Sequence, residues 1–231
     1  MAGLSALRQI GTFRVPQPIG AGLTRDGAFL VTEYIQLEPL RDERKLGRQL
    51  AAMHMVRGPQ MFGFDMDNYI GTTPQPNSWT KSWVAFLHMR LKFQFDQAPF
   101  ADETRNQAEE LLANLPTIFH DMADMVPSMI HGDMWFNNCA TDEHGDSVVF
   151  DPAVYWGHHE SELGSMKMFG GFGDELYEAY HECIPKAPGF DKRVQLYELY
   201  HLVNHLNMFG VAYLHCCTRL IESIHAQLSA N

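Results

Sequence analysis

Cysteines are few in this sequence, and no two of them form a C-x-x-C pair. The four are Cys139, Cys183, Cys216 and Cys217. Because this pattern gives no disulfide framework, the chain is expected in a reducing compartment, the cytoplasm. The adjacent Cys216 and Cys217 lie in an apolar helical run, where two buried thiols are favoured over a redox or metal role.

Basic residues and long apolar runs are also scarce. The chain has 17 Lys and Arg against 28 Asp and Glu, a net charge of −11, whereas a nucleic-acid partner requires a basic face. No apolar stretch reaches membrane-spanning length, and the one at the N-terminus is too short for a signal peptide. Neither nucleic acid nor a membrane is therefore expected as a partner.

The apolar residues that are present suffice for a core of one large domain or one and a half, since 45% of the 231 residues are hydrophobic. A strand is expected at residues 28–35, after a turn signal at 25–27. Apolar residues spaced by three and four then predict five helices, around 46–53, 79–87, 108–115, 196–203 and 220–228. Asn77 or Ser78 is expected to cap the second of these helices, and Pro116 to end the third.

One predicted β-hairpin brings polar side chains together. Short strands at 139–141 and 147–150 flank a loop in which Gly145 supplies the turn. Antiparallel pairing places Asn138, which precedes the outgoing strand, beside Asp151, which follows the returning one. The segment H-G-D-M-W-F leads into the same end of the hairpin, so Asp133 is expected to lie nearby.

The types and spacing of these residues favour phosphoryl transfer. Carboxylate and amide oxygens without thiolates suit Mg²⁺ better than zinc. Asp133 and Asn138 have the spacing of the phosphotransferase loop H-R-D-x-x-x-x-N, with Gly132 in place of Arg; there the Asp accepts a proton and the Asn holds Mg²⁺. Asp151 stands where a second metal-binding Asp is required. An H-G-D tripeptide alone could be a turn in which His131 caps backbone groups, but the Asn and the second Asp favour a site.

Six segments of the sequence resemble the fructosamine (ketosamine) kinases. They are HGDMWFNN, FDPAVYWGHHESEL, MFGGF, IPKAPGF, LVNHLNMFG and GFDMDNYIGTTPQPNSW. Those kinases have the protein-kinase-like fold and are related to aminoglycoside phosphotransferases and choline kinases. The resemblance, from about residue 4 to about residue 210, implies an α+β chain. A remnant of the N-terminal-lobe sheet and the hinge would occupy residues 1–36, and a mostly helical C-terminal lobe, catalytic and substrate-binding, residues 37–231.

The resemblance also implies a function and a set of site residues. The function is ATP- and Mg²⁺-dependent phosphorylation of the sugar of fructosamines or other ketosamines, at the 3-hydroxyl, on small molecules or glycated proteins, followed by release of the amine. Transferred by position, the implied residues are the catalytic base Asp133, the Mg²⁺ ligands Asn138 and Asp151, the adenine-binding hinge backbone at Glu33, Tyr34 and Ile35, and the substrate contacts Trp135 and His131.

Two departures from the family pattern accompany this resemblance. Phe136 and Asn137 stand where Ser and Gly are usual, although Asn tolerates the left-handed region that Gly favours. No Gly-rich loop, strand Lys or partnering Glu is visible, and the segment LSALR matches the end of the helix whose Glu would precede Met1. Three interpretations follow: a chain start assigned too late, which we favour, an inactive truncation, or a protein that only binds sugar-amines.

Other candidate groups have a structural alternative. Adjacent histidines on an extended chain point apart, so His158 and His159 do not favour a metal site. Glu160 and Glu162 are expected instead to bind the backbone of the Asp133 segment. His201 and His205 are expected to pack helices or line a pocket rather than bind zinc. A metal-dependent hydrolase that uses His131, Asp133 and Asp151 without a nucleotide remains a second hypothesis, and self-association is a further expectation.

From the resemblance we predict that these 231 residues phosphorylate fructosyl-lysine slowly or not at all. Positioning of the phosphates and exclusion of water supply most of the catalysis in phosphoryl transfer, and the segments with those tasks are not visible in the sequence. The measurement compares ATP-dependent turnover by this chain with turnover by the same chain extended upstream. Comparable rates would contradict a kinase-like mechanism.

Overall fold

The structure, a computed structural model, describes residues 1–122 and 125–229. Its helices are α1 (Ala2–Ile10), α2 (Glu43–Met55), α3 (Trp83–Gln97), α4 (Asp102–Ile118), α5 (Glu160–Phe169), α6 (Asp174–Cys183), α7 (Phe190–Phe209) and α8 (Leu214–Ser229). Its strands are β1 (Pro18–Thr24), β2 (Gly27–Thr32), β3 (Leu37–Glu38), β4 (Asn68–Ile70), β5 (Thr73–Gln75), β6 (Ser128–Ile130), β7 (Cys139–Asp142), β8 (Ser147–Val149) and β9 (Tyr155–Gly157). The predicted α+β class, mostly helical with small sheets, is confirmed.

The strands form small antiparallel sheets. β1 pairs with β2, β4 with β5 and β6 with β9, while β3, β7 and β8 form one sheet with β7 in the middle. The predicted hairpin is the β7–β8 pair, in which Cys139 lies opposite Val149 and Thr141 opposite Ser147. Gly145 has a φ of 85° in its turn, a left-handed conformation that glycine adopts without steric cost.

Two predicted helix ends are wrong. The second predicted helix, α3, begins at Trp83, because the side chain of Ser82 accepts a hydrogen bond from the Ala85 N–H at 3.2 Å; neither Asn77 nor Ser78 caps it. α4 continues through Pro116 to Ile118. Proline removes a backbone hydrogen bond from a helix, but here it lies in the last turn, after a stripe of leucines (Leu111, Leu112 and Leu115) that is buried in the core.

The strand region near the N-terminus also differs from the prediction. The expected strand at 28–35 is β2, which ends at Thr32. Residues 18–24, which are rich in turn formers, are its partner strand β1. Pro18 is the first residue of β1, a position where proline is tolerated in a sheet, so the local composition did not exclude a strand.

Two apolar cores hold the elements together. The first lies among α3, α4, α7 and α8, and the second joins α1 and α2 to β6, β8, α5 and α6. Leu4, Leu7, Phe13 and Val15 are buried in the second core, so the first fifteen residues pack on the helical part. The domain boundary at residue 36 stays a prediction. Within the described residues, no helix is both long and apolar enough to cross a membrane.

The β1–β2 ribbon generates a prediction of self-association. It is a two-stranded sheet with unpaired edges, and Leu23 is 87% and Phe29 49% exposed; both features favour edge-to-edge association. We expect Leu23→Lys to weaken self-association in sedimentation about tenfold or more, the effect of removing one buried leucine. Val211→Lys, at a 72% exposed position outside the ribbon, is the control. A monodisperse monomer at moderate concentration would contradict the prediction.

Candidate active site

Residues 131–138, hereafter the Asp133 loop, connect β6 to β7. Gly132 has a φ of 85°, and a Cβ atom there would lie 2.1 Å from the carbonyl oxygen of Ala153. The neighbouring Ala153 N–H donates to the His131 carbonyl at 2.8 Å. Only glycine tolerates both the positive φ and the close approach of the Ala153 carbonyl. This explains why Gly132 occupies the position of Arg in the H-R-D pattern.

A buried carboxylate holds the start of this loop. Glu162, on α5, accepts the His131 N–H at 2.5 Å and the Gly132 N–H at 3.1 Å. Burial alone would raise the pKa of Glu162, but the nearby His54 and the interactions with His131 lower it overall. The predicted bond from Glu162 to the loop backbone is therefore confirmed. The same prediction is wrong for Glu160, which instead binds Arg193 through both oxygens, at 2.6 and 2.7 Å.

His131 is part of the scaffold of the loop. Its side chain is fully buried, its Nε2 donates to the Phe150 carbonyl at 3.0 Å, and its Nδ1 accepts the Asp133 N–H at 3.3 Å. Burial lowers its pKa, which agrees with a neutral ring. The expected substrate contact at His131 is wrong, because the ring has no exposed surface and both of its nitrogens are occupied.

The three polar residues at the open end of the hairpin come together as predicted. Asn138 Nδ2 donates to the carbonyl oxygen of Asp133 at 2.9 Å and to its Oδ2 at 3.3 Å. The Phe150 N–H donates to the Asn138 carbonyl at 3.2 Å, which brings the following residue, Asp151, to the same end. Burial first, then the carboxylates of Asp151 and Glu162, raises the pKa of Asp133 to about 7.

The donor atoms of this cluster fit a divalent cation. Asn138 Oδ1 and the Asp151 carboxylate accept no hydrogen bond from the residues that the structure describes. Asp151 has a φ of 55°, a positive value shared by no other non-glycine residue in the described ranges. It borders a cavity of about 460 Å³ that is also lined by Leu30 and Thr32 of β2. The Asn138 and Asp151 oxygens, which accept no bond from the described residues, lie close to the Asp133 carboxylate, so the site is rich in oxygen and negatively charged. Mg²⁺ prefers oxygen ligands of this kind.

Trp135 begins a row of aromatic side chains beside the Asp133 loop. Its ring lies 4.9 Å from Phe169, and Phe169 lies 5.0 Å from His205. His205 in turn contacts Phe209 at 5.2 Å and Tyr213 at 5.3 Å. The rings are half-buried or exposed, so the row forms a surface. Apart from Trp135 and His205, its members were missed in the sequence, because they come from separate elements with no shared motif.

The predicted hinge follows β2. The Glu33 N–H donates to the Gln17 carbonyl at 2.8 Å, so this N–H is not available to adenine. Tyr34 is 87% exposed and Ile35 is half-buried. In the described part of the chain no other residue takes the backbone hydrogen-bonding groups of Tyr34 and Ile35.

The histidine groups outside the loop are structural. The rings of His158 and His159 lie 4.7 Å apart, so the expectation that they point apart is wrong. With Glu160 they place three ligand atoms within 4.8 Å, but each histidine is bonded to a buried tyrosine hydroxyl, at 2.8 and 3.0 Å. Arg193 already neutralises Glu160, and this argues against a cation there. His201 is buried, whereas His205 lines the aromatic row.

The comparisons with known proteins indicate one family. The fructosamine kinase family model matches residues 1–227. The chain is 40% identical to the chloroplastic protein-ribulosamine 3-kinase of Oryza sativa subsp. japonica over 99% of its own length and 68% of the relative. It is 30% identical, with a TM-score of 0.82, to a crystal structure from Thermobifida fusca provisionally named a fructosamine-3-kinase, with 96% of this chain and 77% of that one covered. The aminoglycoside phosphotransferase APH(4)-Ia has the same fold, with a TM-score of 0.64 at 13% identity, over 97% of this chain and 81% of that one.

The buried histidines generate a prediction about pH. Burial lowers the pKa of His159 to about 3 and that of His201 to about 4, whereas unfolded histidine titrates near 6.5. The unfolded chain therefore binds more protons below pH 6.5, and stability falls as pH decreases towards these folded-state values. At pH 5 we expect a loss of up to about 2 kcal/mol for each histidine.

Urea unfolding at pH 7.5, 6 and 5 measures this loss. His159→Gln should reduce the dependence of the unfolding free energy on pH, and the exposed His215→Gln should leave it unchanged. An unfolding free energy that stays constant from pH 7.5 to 5 would contradict the prediction.

Proposed function

This chain belongs to the fructosamine kinase family, and on that premise we propose that it transfers the γ-phosphoryl group of ATP to the 3-hydroxyl of a ketosamine sugar. The sugar is carried by a small amine or by a glycated protein, and the phosphorylated product then releases the amine. The observation that carries the proposal is the convergence of Asp133, Asn138 and Asp151 at one end of the β7–β8 hairpin.

Asp133 acts as the general base in this proposal. Its raised pKa, about 7, makes its carboxylate a stronger proton acceptor than an ordinary aspartate, and a base is most effective with a pKa near the working pH. The hydrogen bond from Asn138 Nδ2 to Oδ2 orients the carboxylate, and Glu162 fixes the loop that carries it. The attacking sugar hydroxyl gives its proton to Asp133.

Asn138 and Asp151 would hold Mg²⁺, which supplies neutralisation of the phosphate charge when it is bound. Asn138 uses its Nδ2 towards Asp133, so Oδ1 is the atom that remains for the ion. ATP use is supported by the fold, which this chain shares with an aminoglycoside phosphotransferase crystallised with AMP-PNP and hygromycin B. The hinge backbone at Tyr34 and Ile35, with the Glu33 carbonyl, would contact adenine.

Trp135 would form a wall of the sugar pocket, with the aromatic row behind it. Met134 is buried between Asp133 and Trp135, and both of its neighbours retain exposed surface, so a sugar stacked on Trp135 would lie close to the base. A cytoplasmic location, and the absence of nucleic-acid and membrane partners, stay predictions.

The hydrolase hypothesis has less support. It requires His131 as a metal ligand, but that ring is fully buried and its two nitrogens bond to Phe150 and Asp133. The alternative that the protein binds a ketosamine without transferring phosphate is distinguished from the kinase by experiment.

Two isosteric substitutions test the proposed roles. Asp133→Asn should lower turnover by about 10²–10⁴, the usual contribution of a positioned general base, and leave nucleotide affinity nearly unchanged. Asp151→Asn should instead weaken binding of the Mg²⁺–nucleotide complex. Asp146→Asn is the matched control, because Asp146 lies on the same hairpin but is exposed and paired with Lys45.

Turnover on fructosyl-lysine and nucleotide affinity are measured for each variant, in this chain and in the chain extended upstream. Small and equal effects of Asp133→Asn and Asp151→Asn on turnover would contradict the assignment. Metal-dependent hydrolysis without nucleotide would favour the hydrolase instead.

A further inference from the structure

The carboxylate of Glu33, in the proposed hinge, is occupied by the protein itself. Arg14 donates to both of its oxygens, Nη1 to Oε2 at 3.0 Å and Nη2 to Oε1. The Gln17 N–H donates to Oε2 at 3.1 Å. The hydrogen bonds from Arg14 lower the pKa of Glu33 to about 2. This side chain therefore binds the chain segment 14–17 rather than a ligand.

The main chain of Arg14 pairs with the catalytic hairpin. Its N–H donates to the Ser147 carbonyl at 3.1 Å, and its carbonyl accepts the Val149 N–H at 3.0 Å. Arg14 thus lies beside β8 as a short parallel bridge. Val149 is the last residue of β8, two positions before Asp151. A single residue therefore contacts the hinge through its side chain and the strand that leads to Asp151 through its backbone.

The other end of the hinge is attached to the opposite strand of the hairpin. β3 follows the hinge and pairs with β7, with Leu37 opposite Asp142 and Glu38 opposite Thr141. The Arg41 N–H adds a hydrogen bond to Thr141 Oγ1 at 3.0 Å. Residues 33–36 therefore span the hairpin from its β8 side to its β7 side. The attachment on the β8 side consists of the Arg14–Glu33 pair and two hydrogen bonds between Glu33 and Gln17.

From this arrangement we infer that Arg14 and Glu33 are positioning residues for the nucleotide, which fix the distance between the adenine-binding hinge and Asp151. The inference rests on the proposed function, in which the hinge contacts adenine and Asp151 holds the metal–phosphate end. A ligand that must engage two points at once binds well only when their separation matches its own length. A fixed hinge provides that separation before the nucleotide arrives.

A purely stabilising surface ion pair would behave differently. Both side chains are 33% exposed, and exposed pairs contribute little to stability as a rule. Loss of such a pair would change the affinity for every ligand equally, through the folded fraction. Loss of a positioning pair would weaken ligands that reach both ends and spare those that contact the hinge alone.

Dissociation constants for Mg·ATP and for adenosine separate these cases. In Arg14→Gln and in Glu33→Gln we expect the constant for Mg·ATP to rise about three- to tenfold, as the effective concentration of the second contact falls, with adenosine changed less than about twofold. The double variant should lose no more than either single variant, because both remove the same interaction. Arg44→Gln is the matched control: Arg44 is 34% exposed and pairs with Glu178 and Glu182 away from the hinge.

Equal weakening of adenosine and Mg·ATP, or no weakening of either, would overturn the inference. Additive losses in the double variant would overturn it as well.

Hydrogen exchange gives a readout that needs no nucleotide. The amide of Glu33, which donates to the Gln17 carbonyl, should exchange faster in Arg14→Gln than in the unchanged chain, and at an unchanged rate in Arg44→Gln. If the unchanged chain fails to bind Mg·ATP, the proposed ATP-dependent function is contradicted. Exchange then decides the inference alone: faster hinge exchange supports an attachment by Arg14, and unchanged exchange overturns it.

Discussion

The Asp133 loop depends on one buried carboxylate. Glu162 accepts the N–H groups of His131 and Gly132, two adjacent donors that would otherwise be buried without partners. An unpaired buried donor costs about 1–3 kcal/mol, so this contact selects one conformation of the loop. The positive φ of Gly132 and the bonds of the His131 ring follow from the same conformation. Asp133 is presented by a rigid support rather than by a free turn.

The hairpin β7–β8 extends that support to the rest of the site. It carries Asn138 before one strand and Asp151 after the other, and the hinge crosses it between Arg14 on one side and Leu37 on the other. Every group assigned to the nucleotide is thus positioned by one small sheet, formed by β3, β7 and β8. The aromatic row, which we propose faces the sugar, is built differently: Trp135 contacts a ring on α5, and that ring leads on to rings on α7 and in the turn before α8.

The predictions made from the sequence agree best with the structure where the interacting residues are close together in the chain. The pairing of Asn138 with Asp133 and the hairpin around Gly145 follow from local spacing and turn chemistry, and both could be predicted. The pairs Arg14–Glu33 and Glu160–Arg193 could not, because nothing in either segment specifies its partner. The passage of α4 through Pro116 was missed for the same reason, since distant core residues outweigh a local signal.

Residue type and spacing are enough to specify which oxygen-bearing groups meet at the hairpin end and which family the chain resembles. Which side chains reach solvent depends instead on the tertiary structure. His131 and Trp135 stand four residues apart, yet His131 is fully buried and bonded to the Phe150 carbonyl, while Trp135 remains partly exposed against Phe169. Burial is set by contacts between segments far apart in the chain, so only the folded arrangement separates a scaffold histidine from a surface that can face a sugar.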